Sequence, residues 1–182
     1  MPQPPVTPNE SDFARRIAED AIAFERTIRA PIERVWDALI TEHGLAQWIG
    51  AAKVEPHVGG EFILQLTEDV EMRGRILELE PRRKLVVFWR EISDGAVSQY
   101  GTTPDFHSEL IFTLEPIVQG TKLTLTHRLI RGGDVMTSFA GGWHGFLERL
   151  DAAVRGEQAI DVMELYEQVK PLYDQRFGTT SA

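Results

Sequence analysis

The chain has 182 residues, 42% of them hydrophobic and 26% charged, with 28 acidic residues against 19 basic ones and no cysteine. That length favours one domain with short extensions, and the composition is that of a globular protein without an apolar run long enough to span a bilayer. A net charge of −9 argues against nucleic acid as a partner, and the absence of cysteine removes disulfides, thiolate metal sites and cysteine nucleophiles.

The opening "MPQPPVTPNESDF" has neither the basic nor the apolar region of a signal peptide. It reads as a proline-rich arm, and a cytoplasmic location is the default expectation. The stretch "SDFARRIAED" predicts a short helix capped by Asn9 or Ser11. Residues 21–30 alternate Ile22, Phe24 and Ile28 with Glu25, Thr27 and Arg29, the period of a half-buried strand, and Arg26 falls on the apolar side. In "APIERVWDALITEHGLAQWIG", Pro31 suits a first helical turn, Ile32, Val35, Trp36 and Leu39 recur at helical spacing, and Thr41 caps a second short helix that ends near Trp48.

From Val54 to Leu129 the pattern changes to strands and turns. Five stretches are clearest: 60–68, 72–80, 84–92, 106–116 and 121–130. Connections this short favour an antiparallel meander. The one dense basic run, "PRRKL", reads as a turn between two of these strands. Asp134 is placed to cap the helix that follows, along which Met136, Phe139, Trp143, Phe146 and Leu150 form one apolar stripe before Gly156 stops it. A last helical pattern carries Ile160, Met163, Tyr166, Val169 and Tyr173, with Pro171 expected to kink or end it.

The segments "ERTIRAPIERVWDALI", "VGGEFIL", "GRILELEPRRKLVVFWR", "ELIFTLEPIVQGTKLTLTH" and "GGWHGFLERLDAAV" occur in an order that resembles the family of activators of heat-shock protein 90 ATPase, within the START or Bet v 1-like superfamily. The resemblance implies an α+β helix-grip fold, a curved antiparallel sheet wrapped around the long helix near the C-terminus, with two short helices after the first strand. It divides the chain into an arm (1–20), a helix-grip domain (21–156) and a helical extension (157–182). It also implies an elongated apolar cavity between sheet and helix, which is the default site for such a scaffold.

Strand parity places Phe62, Leu64 and Leu66 on one face, Leu110, Phe112 and Leu114 on another, and Leu123, Leu125, His127 and Leu129 on a third. With Phe139, Trp143 and Phe146 from the helix, the expected lining is Phe62, Leu64, Leu110, Phe112, Leu125, His127, Phe139, Trp143, Phe146 and Arg26. Arg26 either pairs with a buried acid such as Glu109 or a ligand carboxylate, or carries its charge to solvent along an apolar stem. Either Phe88 or Trp89 must point inward. Gly142 and Gly145 flank the inward aromatics, where they let the helix approach the sheet or leave room beside the indole.

The five histidines show no metal-binding spacing, and there is no serine elbow or phosphate loop; no metal and no cofactor is expected. Three functions follow from the scaffold. The first is binding of a small hydrophobic or aromatic molecule. The second is a cyclase or hydrolase in which His127, with Arg26 or Tyr100, polarises a substrate. The third, from the family's namesake, is contact with a chaperone; it ranks behind the other two because about 20 residues precede the matched region here, where the namesake carries a separate chaperone-binding domain. The apolar face of the 157–177 extension is expected to pack on its own domain, cover the cavity mouth or build a homodimer.

Overall fold

A computed structural model describes residues 8–93, 107–158 and 161–178. A 3-10 turn, Glu10–Asp12, opens it, with the Asn9 side chain accepting from the Ser11 amide. Two strands follow, β1 (Arg15–Ala18) and β2 (Ala21–Ile28). The helix expected over residues 11–20 is therefore replaced by a turn and an edge strand. Cross-strand pairing decides this outcome: Arg15 lies opposite Ala23 and bonds Glu25 at 2.8 Å, contacts that local pattern does not encode.

Two short helices come next, α1 (Ile32–Ile40) and α2 (Glu42–Ala46), the second capped by Thr41, whose hydroxyl accepts from the Gly44 amide. The strands β3 (Ala51–Val54), β4 (Glu61–Gln65), β5 (Val70–Glu80), β6 (Lys84–Trp89), β7 (Glu91–Ser93), β8 (Ser108–Ile117) and β9 (Gly120–Arg128) complete the sheet. Among the described residues it has nine antiparallel strands in the order β1-β2-β9-β8-β6-β5-β4-β3, with β7 paired to β5. Sequence alternation located six of these, β2, β4, β5, β6, β8 and β9; β3, only four residues long, is defined by its pairing with β4.

The alternation of β9 ends earlier than expected. Leu129 takes a left-handed φ of 64°, which turns its side chain out to solvent and brings Ile130 into the core instead. The long helix α3 (Gly133–Arg155) has Gly132 as its N-cap, so Asp134 lies in the first turn, where its charge suits the helix dipole, and not at the cap. Gly156, at φ 72°, ends it in the left-handed conformation.

The helix α4 (Val162–Phe177) is capped by Asp161, which accepts from the amides of Met163 and Glu164, and it runs through Pro171 without ending there. Its buried stripe is Leu165, Val169, Tyr173 and Phe177 at four-residue spacing. Met163, expected on that stripe, is exposed, and Ile160 lies outside the described residues. The stripe packs on the protein's own α3, and there the glycines find their use. Gly141 faces the ring of Tyr166 and Gly145 faces Val162, so both serve the approach of α4; Gly145 neither brings the helix to the sheet nor leaves room beside the indole, the two roles expected of it.

Candidate functional site

The space gripped between sheet and α3 is filled mainly by side chains. Phe62 and Leu64 reach it from β4, Leu110 and Phe112 from β8, Leu125 and His127 from β9, and all six are buried. Trp89 settles the choice on β6: it points in, while Phe88 stacks on His107 at 5.7 Å. Trp143 from α3 meets Trp89 edge-on at 5.3 Å and Phe112 at 6.3 Å, and the half-buried Phe146 bridges Trp143 and Trp48. Edge-to-face packing of this kind holds aromatic rings in fixed relation.

Among the described residues, two small gaps can be traced within this packing, each of about 10 Å³, room for about one water. One is bordered by Phe62, Leu64, Leu110, Phe112 and Trp143 with residues of α1 and α2. The other is bordered by Leu66, Trp89, Glu91, Phe139, Gly142, Trp143 and Phe146. Leu125 and His127 are buried but border neither gap.

His127 sits at the centre of a closed hydrogen-bond chain. The indole N–H of Trp143 donates to its Nδ1 at 3.0 Å, and its Nε2 lies 2.6 Å from the Ser108 hydroxyl. Because Nδ1 must accept, the ring's proton resides on Nε2 and is donated to Ser108. A serine activated by histidine needs the opposite arrangement. Burial also pushes the imidazole down to about 3, so it stays neutral near pH 7. The polarising role expected of His127 thus finds both ring nitrogens engaged, and Tyr100, its suggested companion, lies outside the described residues.

Ser108 shares the inward parity of Leu110 and Phe112, and a polar residue on that face was readable as a partner for His127. Glu91 was readable in the same way. Its carboxylate is buried and accepts from the Trp89 indole at 3.2 Å, next to the gap that Gly142 borders.

A second buried histidine could not be read from its own helix. His144 adjoins Trp143 in sequence but points the other way, with Nδ1 2.9 Å from the Tyr173 hydroxyl of α4. That hydroxyl also accepts from the Ala14 amide at 2.9 Å. Burial first, and then the positive charges of Arg26 and Arg176, hold His144 at about 3, and burial raises the Tyr173 phenol.

Arg26 is placed away from the aromatic interior. It is buried on the inner face of β2, yet its partner is not Glu109, which bonds Arg128 at 2.7 Å. Its Nη1 donates to the Glu25 carbonyl at 3.1 Å, and Glu148 of α3 stands 3.5 Å from its Nε. Burial raises Glu148 against the pull of this guanidinium. The pair fronts a polar cleft of about 440 Å³ that shares no lining residue with the two gaps. Among the described residues no cluster of three or more metal-ligating side chains occurs, and no helix is long and apolar enough to cross a membrane.

The family described as activator of Hsp90 ATPase homolog 1-like protein matches residues 29–155. Among solved structures, a protein from Bordetella parapertussis is 26% identical with a TM-score of 0.68, over 94% of this chain and 95% of that one. A Mesorhizobium loti protein is also 26% identical, with a TM-score of 0.64 over 76% and 98% of the two chains. CalU16 from Micromonospora echinospora, at 24% identity, shares the fold with a TM-score of 0.67 over 85% and 86%. No curated protein sequence matches the chain.

Proposed function

Because the chain belongs to the activator of Hsp90 ATPase homolog 1-like family, on a scaffold suited to holding ligands between sheet and helix, we propose that it binds a small apolar or aromatic molecule beside Trp89 and Trp143. The observation that carries this reading is the position of Gly142. On a face of α3 otherwise occupied by Phe139, Trp143 and Phe146, it has no side chain to fill the gap bordered by Leu66, Trp89 and Glu91. The gap is small, so the ligand enters by displacing Phe146, which is only half-buried and has the least to lose. A flat aromatic body would stack among the two indoles, and the Glu91 carboxylate would orient a ligand that carries a hydrogen-bond donor.

The test is titration with anilinonaphthalene sulfonate and with naphthol, followed by tryptophan fluorescence. Saturable binding in the full chain, weakened at least about tenfold (about 1.4 kcal/mol) in Gly142→Leu, is the expected result. Binding that is absent in the parent protein, or equal in the variant, overturns the reading.

A further inference from the structure

Arg26 is the one charged residue on the inner face of β2, where its neighbours in parity are Ile22, Phe24 and Ile28. Its side chain is 6% exposed. The protein satisfies it incompletely: Nη1 reaches the Glu25 carbonyl, Glu148 stands beside Nε without completing a hydrogen bond, and Nη2 has no acceptor. A buried cation with unused donors is costly to keep. Asp151, one turn along α3 from Glu148, presents the complementary deficit on the same cleft. Its Oδ2 holds Arg155, whereas its Oδ1 is buried and accepts from no donor.

We propose that this cleft binds a small zwitterion of the α-amino-acid class, with its carboxylate on Arg26 and its ammonium held by Glu148 and Asp151. A carboxylate offers two acceptors in the geometry of the guanidinium fork. An anion alone would also face Asp12, Glu25, Glu148 and Asp151, and a cation alone would face Arg26 and Lys122. A molecule with both charges a few ångströms apart answers each. Entry requires Glu148 to leave the guanidinium for the incoming ammonium. Its side chain is 25% exposed, and burial already works against its charged form there. The cleft, at about 440 Å³, lies within the usual range for small-molecule sites.

The experiment is a titration of the isotopically labelled full chain with L-lysine, cadaverine and hexanoate, read by nuclear magnetic resonance at the Arg26 Nε–H and the amides of Ser11 and Thr27. L-Lysine should give saturable shifts; cadaverine, which lacks the carboxylate, and hexanoate, which lacks both ammonium groups, should each bind at least about tenfold more weakly. Arg26→Gln should abolish the response. Should that variant fail to fold, Asp151→Asn, at a side chain that is partly exposed on the cleft, carries the test and should weaken L-lysine at least severalfold. No saturable shift with L-lysine at millimolar concentration, or equal binding of cadaverine, overturns the proposal. Naphthol binding measured in Asp151→Asn stays unchanged if the two sites are separate, so failure here is distinguishable from failure at the Gly142 gap.

Discussion

Gly145 lets the backbone of α3 come within van der Waals reach of Val162: a Cβ at this position would lie 3.0 Å from Val162 Cγ1 and 3.2 Å from its carbonyl oxygen. Alanine here would gain about 1 kcal/mol of helix propensity and lose a comparable amount to crowding. Leucine has no such balance. Gly145→Leu is expected to cost roughly 1–3 kcal/mol and to expose the amides of α4 to hydrogen exchange, while naphthol binding at the opposite face of α3 is retained. Unchanged exchange in α4 would show that the helices do not meet as described.

The two buried histidines make stability depend on pH in a calculable direction. Both sit at about 3, held there by burial, against an ordinary value of 6.5. The unfolded chain therefore takes up protons that the folded chain refuses as pH falls from about 6.5 towards 3. Stability is complete above that window and declines within it, at up to about 1.4 kcal/mol per pH unit for each histidine. Glu148, raised by burial, acts in the opposite sense and blunts the slope. Urea midpoints measured between about pH 6.5 and 5, where most carboxylates remain ionised, should fall steadily. His127→Asn should roughly halve that slope even though it lowers the starting stability. A flat profile in the parent protein would mean that both imidazoles reach solvent, and half the expected slope that one of them does.

Tyr173→Phe removes the hydroxyl that ties Ala14 to α4 and that also meets His144 Nδ1. The variant keeps the ring but leaves the Ala14 amide without its buried acceptor, an omission that costs roughly 1–3 kcal/mol. Faster exchange at Ala14 and a lower melting temperature are the expected readouts. Exchange at Ala14 equal to that of the parent would sink the assignment.

Phe146→Ala should widen the space beside Trp143. Because the ring is half-buried, the stability loss is expected near 2 kcal/mol, below that of a fully buried phenylalanine. Affinity for naphthol should rise severalfold as the displacement step is removed. A fall in affinity would mean that Phe146 is part of the ligand's own contact surface.

Much of this could be read in the chain because period-two alternation survives wherever one sheet face is buried and the other wet. Ile22, Phe24 and Ile28, Leu110, Phe112 and Leu114, and Leu123 and Leu125 all point as their parity requires. What was not legible depends on partners distant in sequence. Residues 15–18 read as helix until β2 is available to pair with them. Arg26 announces burial but not Glu148, which lies on another element. The glycines of α3 announce a close approach, yet only the position of α4 reveals that two of them face away from the sheet. Leu129 was misplaced for a local reason: one left-handed residue ends the alternation, and nothing in its side chain favours that conformation.

The bond between Ala14 and Tyr173 spans 159 positions, and β2, paired on one edge with the adjacent β1, finds its second sheet partner only in β9, where Ala21 lies opposite Arg128. A ribosome releases the chain from its N-terminus, so β2 must wait for most of the sheet to be made before its second edge is covered, and Phe13 and Ala14 must wait longer still for α4. Until then the apolar side of β2 stays open to collapse with other chains. The native state is therefore completed beside β1 and β2 by a helix made after the whole sheet, and a nascent chain halted before α4 would hold a sheet but no clasp.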